Sequence, residues 1–326
     1  MSHIPFPSIE QFRTVLSNLK KIQNLPDILT LEGTVKLHGT NASLVINDTN
    51  IVCQSRNRIL SDEKDNCGFS QYINSIPKDK LITMIQIIRD TYANSIENLV
   101  IYGEWCGSTI QSHVALAQLP KMFVIFAIKI NNVWQETKLF HNIMLPDYHI
   151  FNISRVPNYT IFLDINNPNN TTMKLKSITD SIEKECPWAK SFGVNGIGEG
   201  CVWKFTEPEL NNSKFWFKVK GDKHTTSKVT TLKELSPNEL ENLKNVQIFV
   251  EKAVTNNRLE QGLDYLREIN VAPILKNISV YLKWLINDTF KEEADYIREL
   301  KLDKCILSKQ ISKIGKEYFN SQKNEF

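Results

Sequence analysis

The sequence predicts an α+β protein, with an antiparallel-sheet core followed by an all-helical C-terminal domain. Three observations predict it. Short alternating or β-branched apolar runs dominate the first two thirds of the 326-residue chain. From residue 236 to about 322 the apolar spacing turns helical and stays so. Between them lies a polar stretch rich in threonine, Thr225-Thr226-Ser227 and Thr230-Thr231, that reads as a linker. The predicted parts are a core over 1–224, a linker over 225–235 and a helical domain over 236–326.

The elements follow in order. Ser8 with Gln11 forms a capping-box pattern ahead of Phe12, Val15, Leu16 and Leu19, which predicts a first helix from Ser8. Strands are predicted at 29–37, 42–46 and 50–55. A helix over 78–92 precedes strands at 99–105, 122–131 and 132–140. The stretch 142–172 carries Pro146, Pro157, Pro168 and many asparagines, and reads as loops with short strands. A helix over 177–186 ends before Pro187, because the residue ahead of a proline is pushed out of helical geometry. Strands at 200–206 and 214–220 complete the core. Ser236-Pro237-Asn238-Glu239 couples a Ser-x-x-Glu box to a proline at the first helical position. Helices near 237–254, 256–269, 273–287, 289–300 and 302–319 follow.

Length and composition bound the function classes. A chain this long can bury two cores. Its 41% hydrophobic and 23% charged residues are those of an ordinary soluble protein. No apolar run approaches the roughly 18 residues of a membrane span, so no membrane partner is expected. The N-terminus shows no basic start followed by an apolar stretch, so no secretion signal is expected. Cys53, Cys67, Cys106, Cys186, Cys201 and Cys305 form no Cys-x-x-Cys pair. A zinc site or disulfide framework is therefore disfavoured, and a cytoplasmic or other reducing compartment is expected. The net charge is +3, with acids and bases balanced after residue 236. Lys214, Lys218, Lys220, Lys223, Lys228 and Lys233 cluster with Asp222 as the one acid among them. Phe215, Trp216 and Phe217 interleave with them, so part of the segment packs while lysines project. That suits an anion-binding face for nucleotide phosphate or nucleic-acid backbone.

The chemistry centres on Lys36-Leu37-His38-Gly39-Thr40-Asn41, where a strand ends and Gly39 marks a turn. A lysine becomes a nucleophile when burial or nearby cations remove its proton. Gln54-Ser55-Arg56-Asn57-Arg58 then ends a short strand, and Val100-Ile101-Tyr102-Gly103-Glu104-Trp105 delivers a carboxylate. Phe123-Val124-Ile125-Phe126-Ala127-Ile128 is an apolar strand with aromatics. Gly198-Glu199-Gly200-Cys201-Val202-Trp203-Lys204 sets a second carboxylate between glycines. Trp216-Phe217-Lys218-Val219-Lys220 puts two lysines on one strand face.

In this order the segments resemble the covalent nucleotidyltransferases, the ATP-dependent ligases and mRNA capping enzymes. They are most similar to the phage RNA ligase 2 family, which includes the trypanosome RNA-editing ligases and has a nucleophile motif of the form Lys-x-His-Gly-Thr-Asn. The resemblance covers about residues 30–222. It implies a nucleotidyltransferase (ATP-grasp-like ligase) core and a helical C-terminal domain. An OB-fold barrel after the core is disfavoured independently, since 236–326 lacks alternating strands.

The resemblance also implies an activity: ATP-dependent joining of 5′-phosphate and 3′-hydroxyl RNA ends through lysyl-adenylate and RNA-adenylate intermediates. The expected substrate is nicked duplex RNA or an RNA–DNA hybrid, and the expected state a monomer. ATP and Mg²⁺, with Mn²⁺ as a substitute, are the implied cofactors. Lys36 would be the nucleophile and Glu199 the metal ligand. Lys218 and Lys220 would face the phosphates and depress the pKa of Lys36. Glu104 would contact the ribose, Phe126 would stack on adenine, and Arg56 would hold phosphate or ribose near the end being joined. Val35, Leu37, His38 and Asn41 would line the nucleotide around Lys36. A GTP-dependent capping guanylyltransferase and a non-catalytic RNA-binding protein of the same fold are the alternatives.

Several positions have rivals. Glu104 and Glu199 could be structural partners of lysines. Phe123 competes with Phe126, and Arg58 with Arg56 on the same strand face. Asp164-Ile165-Asn166 suits either a second cation or a plain turn. His113, His141 and His149 have no metal-ligand spacing. Val35 stands where some relatives carry an acid that reads the adenine amino group.

Overall fold

Leu29, Leu31 and Val35 alternate with Thr30, Glu32, Thr34 and Lys36, so one strand face can be buried and the other polar. A computed structural model of the chain, describing residues 2–47, 50–92, 94–224 and 239–322, forms that strand at Ile28–Lys36. The chain divides into two units, Met1–Gly221 and Asp222–Phe326. The predicted linker, Ser236-Pro237 and the lysines at 228 and 233 lie outside the described residues.

Along the first unit run β1 (Glu10–Gln11), α1 (Phe12–Leu19), β2 (Ile28–Lys36), β3 (Thr40–Asn47) and β4 (Asn50–Ser55). Next come α2 (Phe69–Ser75), α3 (Lys78–Thr91), β5 (Leu99–Cys106), β6 (Met122–Ile130) and β7 (Val133–Gln135). The unit ends with β8 (Ile150–Asn152), β9 (Tyr159–Asp164), α4 (Asn169–Lys184), α5 (Pro187–Lys190), β10 (Gly200–Phe205) and β11 (Phe217–Lys220). One sheet has the order β1-β11-β10-β2-β9, and the other β4-β3-β5-β6-β7 with β8 also on β6. All pairs are antiparallel except β1 with β11 and β6 with β8. This is the α+β fold with an antiparallel core that the strand pattern predicts.

Two cores hold the sheets. Leu29, Leu31 and Val35 of β2 pack with Cys201 and Trp203 of β10, Leu163 of β9 and Leu175 of α4. Behind the second sheet, Leu44, Ile101, Phe123 and Ile125 pack under Phe69 of α2 and Met84 and Ile88 of α3. Each such side chain, fully buried, contributes about 1.5–3 kcal/mol. The second unit is helical throughout its described residues: α6 (Glu239–Ala253), α7 (Asn256–Glu268), α8 (Ile278–Glu292), α9 (Ala294–Glu299) and α10 (Lys304–Ser321). Tyr281 and Leu285 of α8 sit at its centre with Phe249, Leu263, Leu307 and Ile311.

Several predicted boundaries move for identifiable reasons. The first helix starts at Phe12 and not at Ser8, and Gln11 caps it without a side-chain bond. Glu10 and Gln11 pair instead with Phe217 and Lys218 on the sheet edge. The helix predicted at 177–186 starts at Asn169, because Thr171, Leu175, Thr179 and Ile182 give it one buried face. Strands β8 and β9 are the short strands expected within 142–172. The strand predicted at 132–140 is only Val133–Gln135, followed by a 3₁₀ turn. Ser213–Phe215 is likewise a 3₁₀ turn, capped by Asn212, ahead of β11. Helix α2 has no sequence prediction. The Asp65 carboxylate builds its start by accepting the backbone N–H groups of Asn66, Ser70 and Gln71 at 2.6, 2.7 and 3.0 Å.

Candidate active site

Strand register brings three ends together. Gly200 opens β10 opposite Lys36 on β2 and opposite Lys220 on β11. Glu199, the preceding residue, therefore lies between two lysines. Gly200 has φ +152°, and a Cβ there would fall 2.2 Å from the Val219 carbonyl oxygen. Only glycine lets the strands close around the carboxylate. Lys36 Nζ donates to Glu199 Oε2 at 2.7 Å, and Lys220 Nζ stands 3.1 Å from Oε1. His38 Nδ1 lies 3.4 Å from Oε2.

The electrostatics follow from that cluster. Burial alone would raise the pKa of Glu199, but Lys36, Lys220 and His38 hold it well below the ordinary carboxylate range. Burial pulls Lys36 down, yet Glu199 and then Glu104 outweigh it and raise its pKa. This corrects the expected depression of Lys36, since the carboxylate touching the ammonium outweighs the cations around it. Lys220 goes the other way: burial lowers it, with Lys36 and Lys218 adding to the effect against Glu199.

The turn after Lys36 meets the second sheet. A Cβ on Gly39 would lie 2.4 Å from the Trp105 carbonyl oxygen. That close approach lets the Gly39 N–H donate to Glu104 Oε1 at 3.0 Å. Burial pushes Glu104 up to about 7, opposed by Lys36 and reinforced by Glu199. Asn41 pairs with Glu104 across the strands, and its Oδ1 is buried with no hydrogen-bond partner. An unused buried acceptor is costly unless a ligand donor meets it. Val35 and Leu37 do not reach this face. Strand alternation turns their side chains into the core at 3% and 5% exposure, so neither side chain can line a nucleotide.

Both rival pairs separate in space. Arg56 and Arg58 lie past β4 in a turn closed by Ser55 N–H to the Arg58 carbonyl, and not on a strand face. Arg58 Nη2 donates to the Asp65 carbonyl at 3.0 Å and so supports the loop before α2. Arg56 Nη2 donates to Ser8 Oγ at 3.0 Å, and its charge reaches Lys36. Phe123 is fully buried behind the sheet against Phe69. Phe126 is the extra residue in a β-bulge, since Tyr102 faces Ala127 while Gly103 faces Ile125. The bulge leaves Phe126 half-buried on the face opposite Phe123.

Glu199 ion-pairs with Lys36 and Lys220, whereas Glu104 makes no ion pair among the described residues. Asp164 behaves as a turn residue, its Oδ1 accepting from the N–H groups of Asn166 and Asn167 at 2.9 and 3.0 Å. No group of three or more His, Cys, Asp or Glu able to hold a metal occurs among the described residues. One ionised buried carboxylate is still a fitting protein ligand for Mg²⁺, which fills its other positions with substrate phosphates and water. All six cysteines are free. No helix of the described residues is long and apolar enough to cross a membrane.

Two residues beside Phe126 have no predicted role. Lys204 donates from Nζ to the Phe126 carbonyl at 3.3 Å. Its signal was available, because period-two alternation sets it on the face of Val202. Phe6 packs edge-on to Phe126 with ring centroids 5.0 Å apart, and nothing local in the sequence points to it.

A family model described as RNA ligase matches residues 30–220. No curated protein sequence matches. Solved structures of Naegleria gruberi RNA ligase are similar. A point mutant with AMP and Mn is 19% identical, with 68% of this chain and 56% of that one covered at a TM-score of 0.46. Another mutant, with ATP and Mn, is 20% identical over 68% and 57% at 0.45, and the protein with PPi is 19% identical over 68% and 56% at 0.46. The chain thus covers little more than half the length of these relatives.

Proposed function

The chain belongs to the RNA ligase family, and from that premise we propose that it is an ATP-dependent RNA ligase joining 5′-phosphate to 3′-hydroxyl ends. The observation that carries the reading is the hydrogen-bonded group of Lys36, Glu199 and Lys220 at three adjacent strand ends. Lys36 Nζ attacks the α-phosphorus of ATP; a P–N bond forms and the P–O bond to pyrophosphate breaks. The adenylyl group then passes to the RNA 5′-phosphate. Attack by the 3′-hydroxyl joins the ends and releases AMP.

Each side chain has a role set by its place. The Lys36 ammonium must first leave Glu199 and lose a proton. Lys218 and Lys220 on one face meet the charge that develops on phosphate oxygens. Glu199 would hold Mg²⁺ or Mn²⁺, which when bound neutralises phosphate charge. Glu104 and the unused Asn41 Oδ1 suit ribose hydroxyls, and Phe126 suits the face of adenine. Arg56, on the exposed side, suits the phosphate of the end being joined. Nicked duplex RNA or an RNA–DNA hybrid is the proposed substrate, and a monomer the proposed state.

The test is incubation with α-labelled ATP or GTP and Mg²⁺, then a denaturing gel, with sealing of nicked duplex RNA measured alongside. Label from ATP and sealed nicks are expected. Label from GTP alone would make the protein a capping guanylyltransferase, and no label from either would make it a binding protein.

A further inference from the structure

Lys204 is a half-buried ammonium that the adenylyl-transfer chemistry does not use. By strand register it faces Glu32, four residues along β2 from Lys36. At about 3.3 Å per residue that is roughly 13 Å from the nucleophile. It therefore cannot serve the reacting phosphorus.

Its partners are of another kind. Nζ donates to the Phe126 carbonyl at 3.3 Å and stands 4.1 Å from the centre of the Trp216 ring. Lys204 makes no ion pair among the described residues. Phe126 is the bulged residue of β6, and a bulged residue falls out of the regular ladder. Lys204 reaches its carbonyl from the opposite sheet, while the indole face of Trp216 steadies the charge. Phe6 closes the other side, edge-on to Phe126 and stacked on Trp216.

We propose that Lys204 is a positioning residue for the nucleobase: by tying the bulge of one sheet to the other it fixes the Phe126 ring where adenine stacks. The inference rests on the ligase reading above, and it assigns Lys204 to nucleotide affinity rather than to phosphoryl chemistry.

The experiment is single-turnover self-adenylylation of the full chain over a range of ATP concentrations. Wild type is compared with Lys204→Met, Lys204→Arg, Phe126→Ala and the double variant Lys204→Met/Phe126→Ala. Lys204→Met should raise the half-saturating ATP concentration roughly 10-fold, the scale of losing one base–aromatic stack. Its saturating rate should stay within about threefold. Lys204→Arg, which keeps a donor, should recover most of the affinity. The double variant should be no weaker than Phe126→Ala alone, because both act through one ring. If Lys204→Met does not fold, Lys204→Leu, which also lacks a donor, carries the same comparison. Unchanged affinity in the variant, or a saturating rate that falls while affinity holds, overturns the proposal. So do losses that multiply in the double variant, which would mean that Lys204 touches the nucleotide itself. A wild type that takes no label from ATP overturns the ligase reading first, before any variant is compared.

Discussion

Glu199 both assembles the site and keeps Lys36 protonated through a 2.7 Å bond. Lys36→Ala should therefore abolish self-adenylylation yet still seal RNA that already carries a 5′-adenylate, since the last step uses the RNA's own hydroxyl. Label on a folded Lys36→Ala protein would sink the assignment. Glu199→Ala, Lys218→Ala and Lys220→Ala should each slow adenylylation by ~100-fold or more, the scale for one group that stabilises transition-state charge. A variant within threefold of wild type in single turnover would show its residue misassigned. Lys204 adds a pH dependence. Burial pushes its pKa down to about 8 from an ordinary 10.5. Between those values the unfolded chain holds more protons than the folded one, so stability rises with pH there. Wild type should thus gain stability relative to Lys204→Met as pH rises from about 8 towards 10.5, which melting curves of the two proteins check. A gap independent of pH would contradict the shift. That Lys36, Glu199 and Lys220 meet was legible in motif order and strand alternation. The raised pKa of Lys36 was not, because it depends on which charge sits nearest in space.

At the scale of elements, strand periodicity located most of the sheet, and its exceptions are informative. Phe123 and Phe126 are three positions apart, and regular alternation already puts them on opposite faces without saying which face meets a ligand. The bulge between Tyr102 and Gly103 then alters the phase, so that Phe126 and Ala127 share surroundings. No local sequence rule announces that shift. Phe123→Ala should cost roughly 3–5 kcal/mol of stability, as for other buried phenylalanines, and leave ATP affinity unchanged. Phe126→Ala should do the reverse, and denaturant melts beside ATP titrations separate the two. Equal effects on both measurements would mean that the two rings share one role. Helix α2 was illegible for a different reason. It is seven residues long, and its start depends on Asp65, a side chain outside it. The early start of α4 was hidden by Pro168 and the asparagines, which read as a loop until Thr171 and Leu175 find a core.

For the whole molecule, every residue given a chemical role precedes the helical unit, and acids and bases balance over 236–326. That unit has its own core around Tyr281 and Leu285. Within it Arg258 is fully buried, ion-paired at 3.1 Å to both Asp288 and Glu293. Such a pair contributes little net stability but makes the loss of one partner costly, so it favours a single arrangement of helices. The first unit likewise holds its own cores on both sheets. Nucleotide chemistry should therefore survive without the helices, while a long duplex needs more surface than the strand-end site offers. Contacts to a nucleic-acid backbone carry steep salt dependence, and removing a set of them should weaken binding and flatten that slope. A chain ending near Leu235 should still take label from ATP. It should lose sealing of nicked duplex RNA and bind the duplex more weakly, with a smaller change in affinity between low and high salt. Gel labelling, a sealing assay and a binding titration at two salt concentrations read the three properties separately. If the shortened chain folds and seals nicks as fast as the full one, the helical unit does not serve RNA engagement.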